Sequence, residues 1–154
     1  MYTLSVSVDV NPPGTTQPLT QEQVWRGLMM KAENAVLFVP RMQSCEVIER
    51  WTDGLLREVV NDGNRFREKI SFSPPVEVMF ERVDNEANAG WITNVVSESD
   101  HGLLLTFTFA VNLPGAKPGT EEERVKGAAM RDSYVGAVKA TLARVRQLVG
   151  EGKL

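Results

Sequence analysis

The chain contains few of the residues from which metal sites and nucleophilic triads are built. Its 154 residues include one cysteine, Cys45, and one histidine, His101. One cysteine permits no internal disulfide, and this pair cannot supply the nitrogen and sulfur ligand sets that zinc or non-haem iron requires. A Ser–His–Asp or Cys–His arrangement lacks support, because His101 stands between Asp100 and Gly102 in a predicted turn. We therefore expect no metal and no cofactor.

Features that would indicate several other classes of protein are also missing. The sequence has no phosphate-binding glycine loop, no G-x-S-x-G elbow and no HExxH motif. No apolar stretch approaches the roughly 20 residues that span a bilayer, and the N-terminus lacks the pattern of a secretory signal. Lysine and arginine are not clustered and the net charge is −3, which argues against a nucleic-acid surface. We expect a cytoplasmic protein without membrane insertion; its oligomeric state stays open.

The length and composition that remain are typical of one globular domain. The chain is 42% hydrophobic and 24% charged, and it has no low-complexity tract. A chain of 154 residues can bury a substantial core but is too short for two domains of ordinary size. We therefore expect a single domain over residues 1–154.

The hydrophobic pattern predicts a strand, two helices, six strands and a long helix. Residues 3–10 alternate apolar and polar side chains, as in a half-buried strand. Thr20 with Gln23 predicts the start of the first helix, and a short second helical segment ends at Pro40. Between residues 42 and 113, turn signals separate six short strands, which predicts an antiparallel meander.

The last helix is the longest predicted element. Thr120 and Glu123 form a capping box for a helix that runs to about Val149. At 100° per residue its apolar side chains fall on one stripe, which predicts that the helix lies along the sheet. The stripe comprises Val125, Ala128, Val135, Val138, Leu142, Val145 and Val149. The order of elements indicates an α+β fold in which a curved antiparallel sheet wraps around this helix and leaves a cavity for a small apolar molecule.

Two predicted hairpins place charged side chains on the apolar face of the sheet. A two-residue loop at 62–63 pairs Arg57 with Glu68, and a three-residue loop at 52–54 pairs Glu49 with Arg57. Burying such charges costs several kcal/mol per ion, so a cavity that holds water or a polar ligand group explains them better than a dry core. Glu68 or Glu49, with a raised pKa, is then the candidate catalytic base, and Arg57 a ligand-binding residue. A purely structural ion-pair network is the alternative.

Four further residues are candidates for ligand contacts. Arg131 falls within the apolar stripe and Tyr134 on its flank, so both would hang over a cavity; alternatively, Arg131 reaches solvent and Tyr134 only packs. Asn94 faces inward if the preceding loop has four residues, but outward if it has three. Phe107 lies on the last strand, whose apolar residues are predicted to form core and cavity wall.

The order of elements and several stretches of sequence resemble the SRPBCC superfamily, the START and birch-pollen-allergen-like helix-grip proteins, and within it the AtaL-like branch. The matching stretches are LTQEQVWRGL (19–28), KAEN with FVP (31–34 and 38–40), LREV (56–59) and LLTFTF (104–109). The resemblance covers nearly the whole chain. It implies a helix-grip fold in which a seven-stranded antiparallel sheet, in the order β-α-α-β-β-β-β-β-β-α, surrounds the C-terminal helix.

The functions that this resemblance implies are diverse. The superfamily includes polyketide aromatase/cyclases, lipid and hormone carriers and ring-hydroxylase domains, and some members of the branch belong to secondary-metabolite pathways. A ring-hydroxylase iron site needs two histidines, and this chain has one. We hypothesise a protein that binds a small hydrophobic metabolite, with a cofactor-free cyclase, dehydratase or isomerase activity as the catalytic version. The alternatives are a non-catalytic carrier or sensor that uses the same cavity, and a co-chaperone-like interaction module.

Overall fold

A computed structural model describes residues 1–84 and 89–154 of the chain. Its elements follow the predicted order, except that the second helical segment is a single 3₁₀ turn, Ala35–Leu37. The strands are β1 (Tyr2–Asp9), β2 (Met42–Trp51), β3 (Gly54–Asn61), β4 (Asn64–Ser73), β5 (Glu77–Arg82), β6 (Gly90–Ser99) and β7 (Gly102–Val111), and the helices are α1 (Gln21–Glu33) and α2 (Glu121–Gly150).

All seven strands belong to one antiparallel sheet. Their spatial order is β1-β7-β6-β5-β4-β3-β2, so β2 to β7 form a meander and β1 pairs with the last strand. Both helices lie against one face of this sheet, where the apolar core collects. The α+β helix-grip fold predicted from the sequence is confirmed. Within the described residues, no helix combines the length and apolar character needed to cross a membrane.

The β3–β4 hairpin has the predicted register. Arg57 pairs with Glu68 across the two strands, and Leu55 pairs with Ile70 on the same face. The loop consists of residues 62–63, both with positive φ (53° and 79°), as a tight two-residue hairpin turn requires. Because the turn determines which residues lie opposite each other, both charged side chains point toward the helices.

The predicted register of β2 against β3 is wrong. Glu49 pairs with Leu56 rather than with Arg57. A bulge at Ile48 adds one residue to β2, and the loop has two residues, 52–53, rather than three. A bulge shifts the alternation of the side chains that follow it. Glu49 is therefore exposed on the outer face, and the predicted contact between Glu49 and Arg57 does not form.

Both helices begin at the predicted caps. The Thr20 hydroxyl accepts a hydrogen bond from the backbone N–H of Gln23, and the side-chain oxygen of Gln23 accepts one from the backbone N–H of Thr20. In α2 the Thr120 hydroxyl accepts the Glu123 N–H, and the Glu123 carboxylate accepts that of Gly119. These side chains satisfy backbone donors that a helix start leaves without intrahelical partners.

Helix α2 packs on the core mainly through its C-terminal half. Toward its start, Gly127 lies so close to β1 that a Cβ there would be 2.1 Å from the ring of Tyr2. Because Gly127 occupies the inner face, Val125 and Ala128 face solvent. The predicted stripe is wrong for these first turns and confirmed for the residues nearer the end. The buried apolar side chains of α2 are Val138, Leu142, Val145 and Leu148.

Candidate functional site

A cavity of about 420 Å³ lies between the inner face of the sheet and the middle of α2. This volume is in the range of pockets that enclose small organic molecules. Strands β4, β5 and β7 contribute aromatic side chains to its wall and β6 contributes Ile92, because alternate residues of each strand point inward. Helix α2 contributes small side chains, which leave the space beneath it open. These small residues are Ser133, Gly136, Ala137 and Ala140.

The aromatic side chains of the wall contact one another. Phe107 and Phe109 on β7 pack edge to face with ring centroids 6.2 Å apart. The ring of Tyr134 on α2 stacks on Phe109 at 4.2 Å. Phe66 on β4 and Phe80 on β5 complete the wall. A ligand in this space meets mostly aromatic faces and edges, which favours flat or unsaturated apolar groups.

Arg57 and Glu68 form a buried ion pair at one side of the cavity. The guanidinium donates from Nε (2.9 Å) and Nη2 (2.6 Å) to Glu68 Oε2, and the two residues are only 3% and 5% exposed. Its Nη1 donates to the carbonyls of Lys31 and Ala32, at 2.9 and 2.8 Å, in the last turn of α1. Those carbonyls have no intrahelical partner, so Arg57 both pairs a charge and caps a helix.

Lys31 brings a third buried ionisable group to the cavity. Its Nζ donates a hydrogen bond of 2.6 Å to Oδ1 of Asn94. The nitrogen lies 4.2 Å from the ring centroid of Phe107 and 5.2 Å from that of Phe80. Lys31 thus ends in an apolar enclosure with one polar neighbour in direct hydrogen-bond contact.

The surroundings of Lys31 disfavour its charge. Burial, and to a smaller extent the nearby guanidinium of Arg57, lowers the pKa of the amine from 10.5 to about 7, although the carboxylate of Glu68 opposes the change. The aromatic faces beside the nitrogen favour the charged form, but they are the weaker influence in a site removed from water. Near neutral pH this amine can therefore either hold or release a proton.

Sequence reasoning did not identify Lys31 as a site residue, although a signal was present. Val24, Leu28 and Lys31 are spaced i, i+4 and i+7, which places the lysine on the apolar face of α1. A lysine on such a face either extends to solvent or is buried with a partner. The partner, Asn94, is 63 residues away in the chain, so the sequence alone did not decide between these outcomes.

Asn94 faces inward, as the first of the two predicted registers requires. It lies opposite Phe107 on β7 and Val78 on β5 and is fully buried. The loop on which the two registers depended includes residues 85–88, which are outside the described residues. Asn94 does not line the cavity itself but holds the amine of Lys31, so its position is that of a supporting residue.

The other predicted site residues divide into two groups. Arg57, Glu68, Phe107 and Tyr134 line the cavity. Arg131 is exposed, because in this turn of α2 it is Tyr134 that faces the cavity. The prediction that Arg131 hangs over the cavity is therefore wrong, as is the inward orientation predicted for Glu49.

Tyr134 lines the cavity, and its hydroxyl donates a weak hydrogen bond to the sulfur of Met130 at 3.9 Å. Burial raises the pKa of this hydroxyl, the charge of Arg82 partly offsets the rise, and Tyr2 adds to it. Tyr134 therefore stays protonated at neutral pH and can donate a hydrogen bond to a bound oxygen atom. Across the described part of the chain, no three His, Cys, Asp or Glu side chains are grouped so that they could hold a metal ion.

Several solved structures have the same fold as this chain. The chain superimposes on ZhuI aromatase/cyclase from Streptomyces sp. R1128 with a TM-score of 0.69 and 16% identity, covering 96% of this chain and 95% of that one. It matches the di-domain aromatase/cyclase StfQ from the steffimycin biosynthetic pathway with a TM-score of 0.72 and 10% identity, over 97% of this chain and 51% of that one. The chain superimposes on Ara h 8.0201 with a TM-score of 0.61 and 16% identity, covering 94% of this chain and 97% of that one. These identities support the fold alone.

The sequence matches a family over nearly its entire length. The chain is 21% identical over 153 residues to acetylaranotin biosynthesis cluster protein L of Aspergillus terreus (strain NIH 2624 / FGSC A1156), covering 99% of this chain and 93% of that protein. A family model described as AtaL, acetylaranotin biosynthesis cluster protein L, matches residues 4–152. The predicted resemblance to the AtaL-like branch of the SRPBCC superfamily is confirmed, and the chain belongs to the family of acetylaranotin biosynthesis cluster protein L.

Proposed function

We propose that the protein binds a small, mostly hydrophobic metabolite in the cavity between the sheet and α2, and that it does so in the cytoplasm. The observation that carries this proposal is a cavity of about 420 Å³ with an aromatic wall and a few buried polar groups gathered at one side. Binding sites for small molecules commonly combine an apolar lining with a small number of fixed polar groups. The names of two structural relatives, both aromatase/cyclases, support the same class of ligand.

The polar groups orient the ligand within the aromatic wall. Lys31 and Tyr134 each offer a hydrogen-bond donor, and Arg57 with Glu68 adds a paired charge. A ligand oxygen placed among these groups gains hydrogen bonds that the apolar wall cannot provide. The apolar remainder of the ligand then contacts the phenylalanine rings, which determines its direction in the cavity.

The finer proposal is a cofactor-free cyclisation, dehydration or isomerisation of the bound molecule. Enclosing a flexible ligand in one folded conformation lowers the entropic part of its activation barrier, and a positioned group that donates or accepts a proton lowers the barrier of the proton-transfer step. Glu68 is engaged by two hydrogen bonds from Arg57, whereas Lys31 has a pKa of about 7. Lys31 is therefore better placed than the predicted Glu68 to accept and return a proton near neutral pH.

Binding is tested first with 8-anilinonaphthalene-1-sulfonate, a dye whose fluorescence rises in apolar surroundings. Ala137→Phe fills the cavity from α2, and Ala129→Phe makes the same change at an exposed position of the same helix. We expect the first variant to weaken dye binding by about tenfold or more, and the second to leave it unchanged. Equal binding by both variants would place the dye elsewhere and contradict the proposal.

The natural ligand is sought by native mass spectrometry of freshly purified protein, followed by extraction of whatever remains bound. A co-purified apolar metabolite supports the binding proposal and supplies the compound for a turnover assay. Conversion in wild type but not in Lys31→Met supports the catalytic version. Recovery of the same metabolite unchanged after long incubation favours the non-catalytic carrier.

A further inference from the structure

We propose that the amine of Lys31 is a nucleophile that forms an imine with an aldehyde or ketone bound in the cavity, so that the ligand class is a carbonyl compound. This inference rests on the proposed function, because the carbonyl must enter the same cavity. The reacting atom is Nζ of Lys31, and the functional group that the ligand carries is a carbonyl.

The position of Lys31 distinguishes it from the other lysines of the chain. Lys31 is 8% exposed and lines the cavity, whereas every other lysine is exposed or half-buried. Phe80 and Phe107 lie beside its nitrogen, so little water competes for a bound electrophile. An apolar pocket next to a second cation is a known way to make a lysine amine nucleophilic at neutral pH.

The hydrogen bond to Asn94 leaves the amine free to react. The amine donates one hydrogen to Oδ1 of Asn94 at 2.6 Å, and a neutral amine that does so retains its lone pair. The other charged and titratable groups that line the cavity are Arg41 just before β2, Arg57 on β3, Glu68 on β4, Arg82 on β5 and Tyr134 on α2. Arg57 disfavours the ammonium form and Glu68 favours it, and burial makes the neutral form accessible at neutral pH.

The step balances without an oxidant, reductant or other co-reactant. The lone pair of the amine nitrogen attacks the carbonyl carbon, and the π electrons of the C=O bond move to oxygen. Oxygen takes up a proton and nitrogen releases one, which gives a carbinolamine. The C–O bond then breaks and a nitrogen–carbon double bond forms, while the hydroxyl takes up a proton and leaves as water and the nitrogen releases its remaining hydrogen as a proton. One amine and one carbonyl thus give one imine and one water.

The test uses 1-phenyl-1,3-butanedione, an apolar β-diketone that condenses with a neutral amine to a conjugated, ultraviolet-absorbing enaminone. Wild-type protein is incubated with the diketone at pH 7.5, and the adduct is located by peptide mass mapping. We expect one adduct per chain, with the mass of the diketone less one water, on Lys31. Its formation should be at least about tenfold faster than at any other lysine. Uniform slow labelling of exposed lysines would overturn the inference.

Two variants and a pH series test whether the amine of Lys31 is the group that forms the adduct. Lys31→Met removes the amine, while Lys69→Met removes an exposed amine from the outer face of the same sheet. The adduct should be lost in the first and kept in the second. In wild type the rate should rise up to about pH 7 and then level off, because the pKa of Lys31 is about 7. A rate that continues to rise toward pH 10 would overturn the inference even if Lys31→Met fails to fold.

A non-electrophilic analogue separates this inference from the proposed function. 1-Phenyl-1,3-butanediol has the carbon skeleton of the diketone but no carbonyl, and its binding is measured by displacement of the naphthalene dye. Displacement by the diol without selective labelling by the diketone overturns the imine and leaves the binding cavity in place. Failure of both compounds to displace the dye or to label the protein overturns both.

Discussion

At Lys31, burial works against a charge that its neighbours compensate only in part. The pKa of this amine is about 7 in the folded protein, against 10.5 when it is solvated. Between these pH values the unfolded chain binds more protons than the folded one, so stability rises as pH rises above 7. The gain is at most about 1.4 kcal/mol per pH unit. Below pH 7 the amine is charged in both states, and the cost of burying it is constant.

The corresponding prediction compares Lys31→Met with wild type in urea denaturation at pH 6, 7, 8 and 9. The wild-type free energy of unfolding should increase from pH 7 to pH 9. The variant should lack this increase and should be the more stable protein at pH 6, because methionine has a similar length and no charge to bury. Parallel pH profiles for the two proteins would show that Lys31 is not the group that titrates.

Arg57 presents the opposite case, because its charge is fully paired. Arg57→Met leaves Glu68 buried without a partner and the last carbonyls of α1 uncapped, which should cost about 3–5 kcal/mol of stability. Arg65→Met breaks an exposed pair with Glu58 on the outer face and should cost about 0.2–1 kcal/mol. Denaturant titration of the two variants measures both losses. Removing Glu68 together with Arg57 should restore part of the loss; an unchanged or larger loss would contradict the paired-charge account.

These residues also show where sequence reasoning succeeds and where it stops. The inward positions of Arg57 and Glu68 follow from a two-residue turn only a few residues away, so local geometry suffices. Lys31 is defined by Asn94 and by aromatic rings on other strands, which no local pattern reveals. Glu49 was misplaced by a bulge whose presence depends on how the edge strand fits the sheet.

Among the elements, the contact of α1 with α2 depends on a missing side chain. A Cβ at Gly27 of α1 would lie 2.3 Å from Cγ2 of Val145 on α2, and Val145 is fully buried. The two helices approach closely only because Gly27 has no side chain. A bulkier residue must separate them or displace the valine, and interiors packed this tightly accommodate neither change easily.

Gly27→Ala should therefore destabilise the protein by about 1–3 kcal/mol, although alanine is the better helix former by about 1 kcal/mol. Gly136→Ala is the matched control, since a Cβ there meets nothing within 4 Å. It should stabilise the protein by about 0.5–1 kcal/mol through helix propensity alone. Thermal unfolding of the two variants gives the comparison. A Gly27→Ala variant as stable as Gly136→Ala would mean that the helices do not approach this closely.

Helix α2 shows a similar limit for prediction at the level of elements. Its start at Thr120 and its length follow from sequence patterns, because caps and periodicity are local properties. The rotation of its first turns follows from the contact of Gly127 with Tyr2, which is more than a hundred residues away. That rotation takes Arg131 out of the cavity and leaves Tyr134 in it.

In the molecule as a whole, charge is distributed unevenly between surface and cavity. The chain carries a net charge of −3, but the ionisable residues that line the cavity are mostly cationic. They are Lys31, Arg41, Arg57 and Arg82 against the single carboxylate of Glu68, together with neutral Tyr134. Glu68 is paired with Arg57 and Arg41 with Asp62, so protonated Lys31 supplies positive charge for a ligand to meet. The fold and its family could be predicted from the sequence, but this inversion of charge depends on which side chains the sheet turns inward.

An apolar anion should therefore bind more tightly than its neutral isostere, although the protein itself is an anion. A hydrogen bond to a charged partner exceeds a neutral one by about 1 kcal/mol, so at pH 6 2-naphthoate should bind about fivefold more tightly than 2-naphthamide, as measured by displacement of the naphthalene dye. The preference should shrink as pH rises from 6 to 8, because Lys31, with a pKa of about 7, loses its proton. Lys31→Met should remove this pH dependence, while Lys69→Met should keep it. Equal affinity for both compounds at pH 6 would mean that Glu68 and the backbone already neutralise the cations of the cavity.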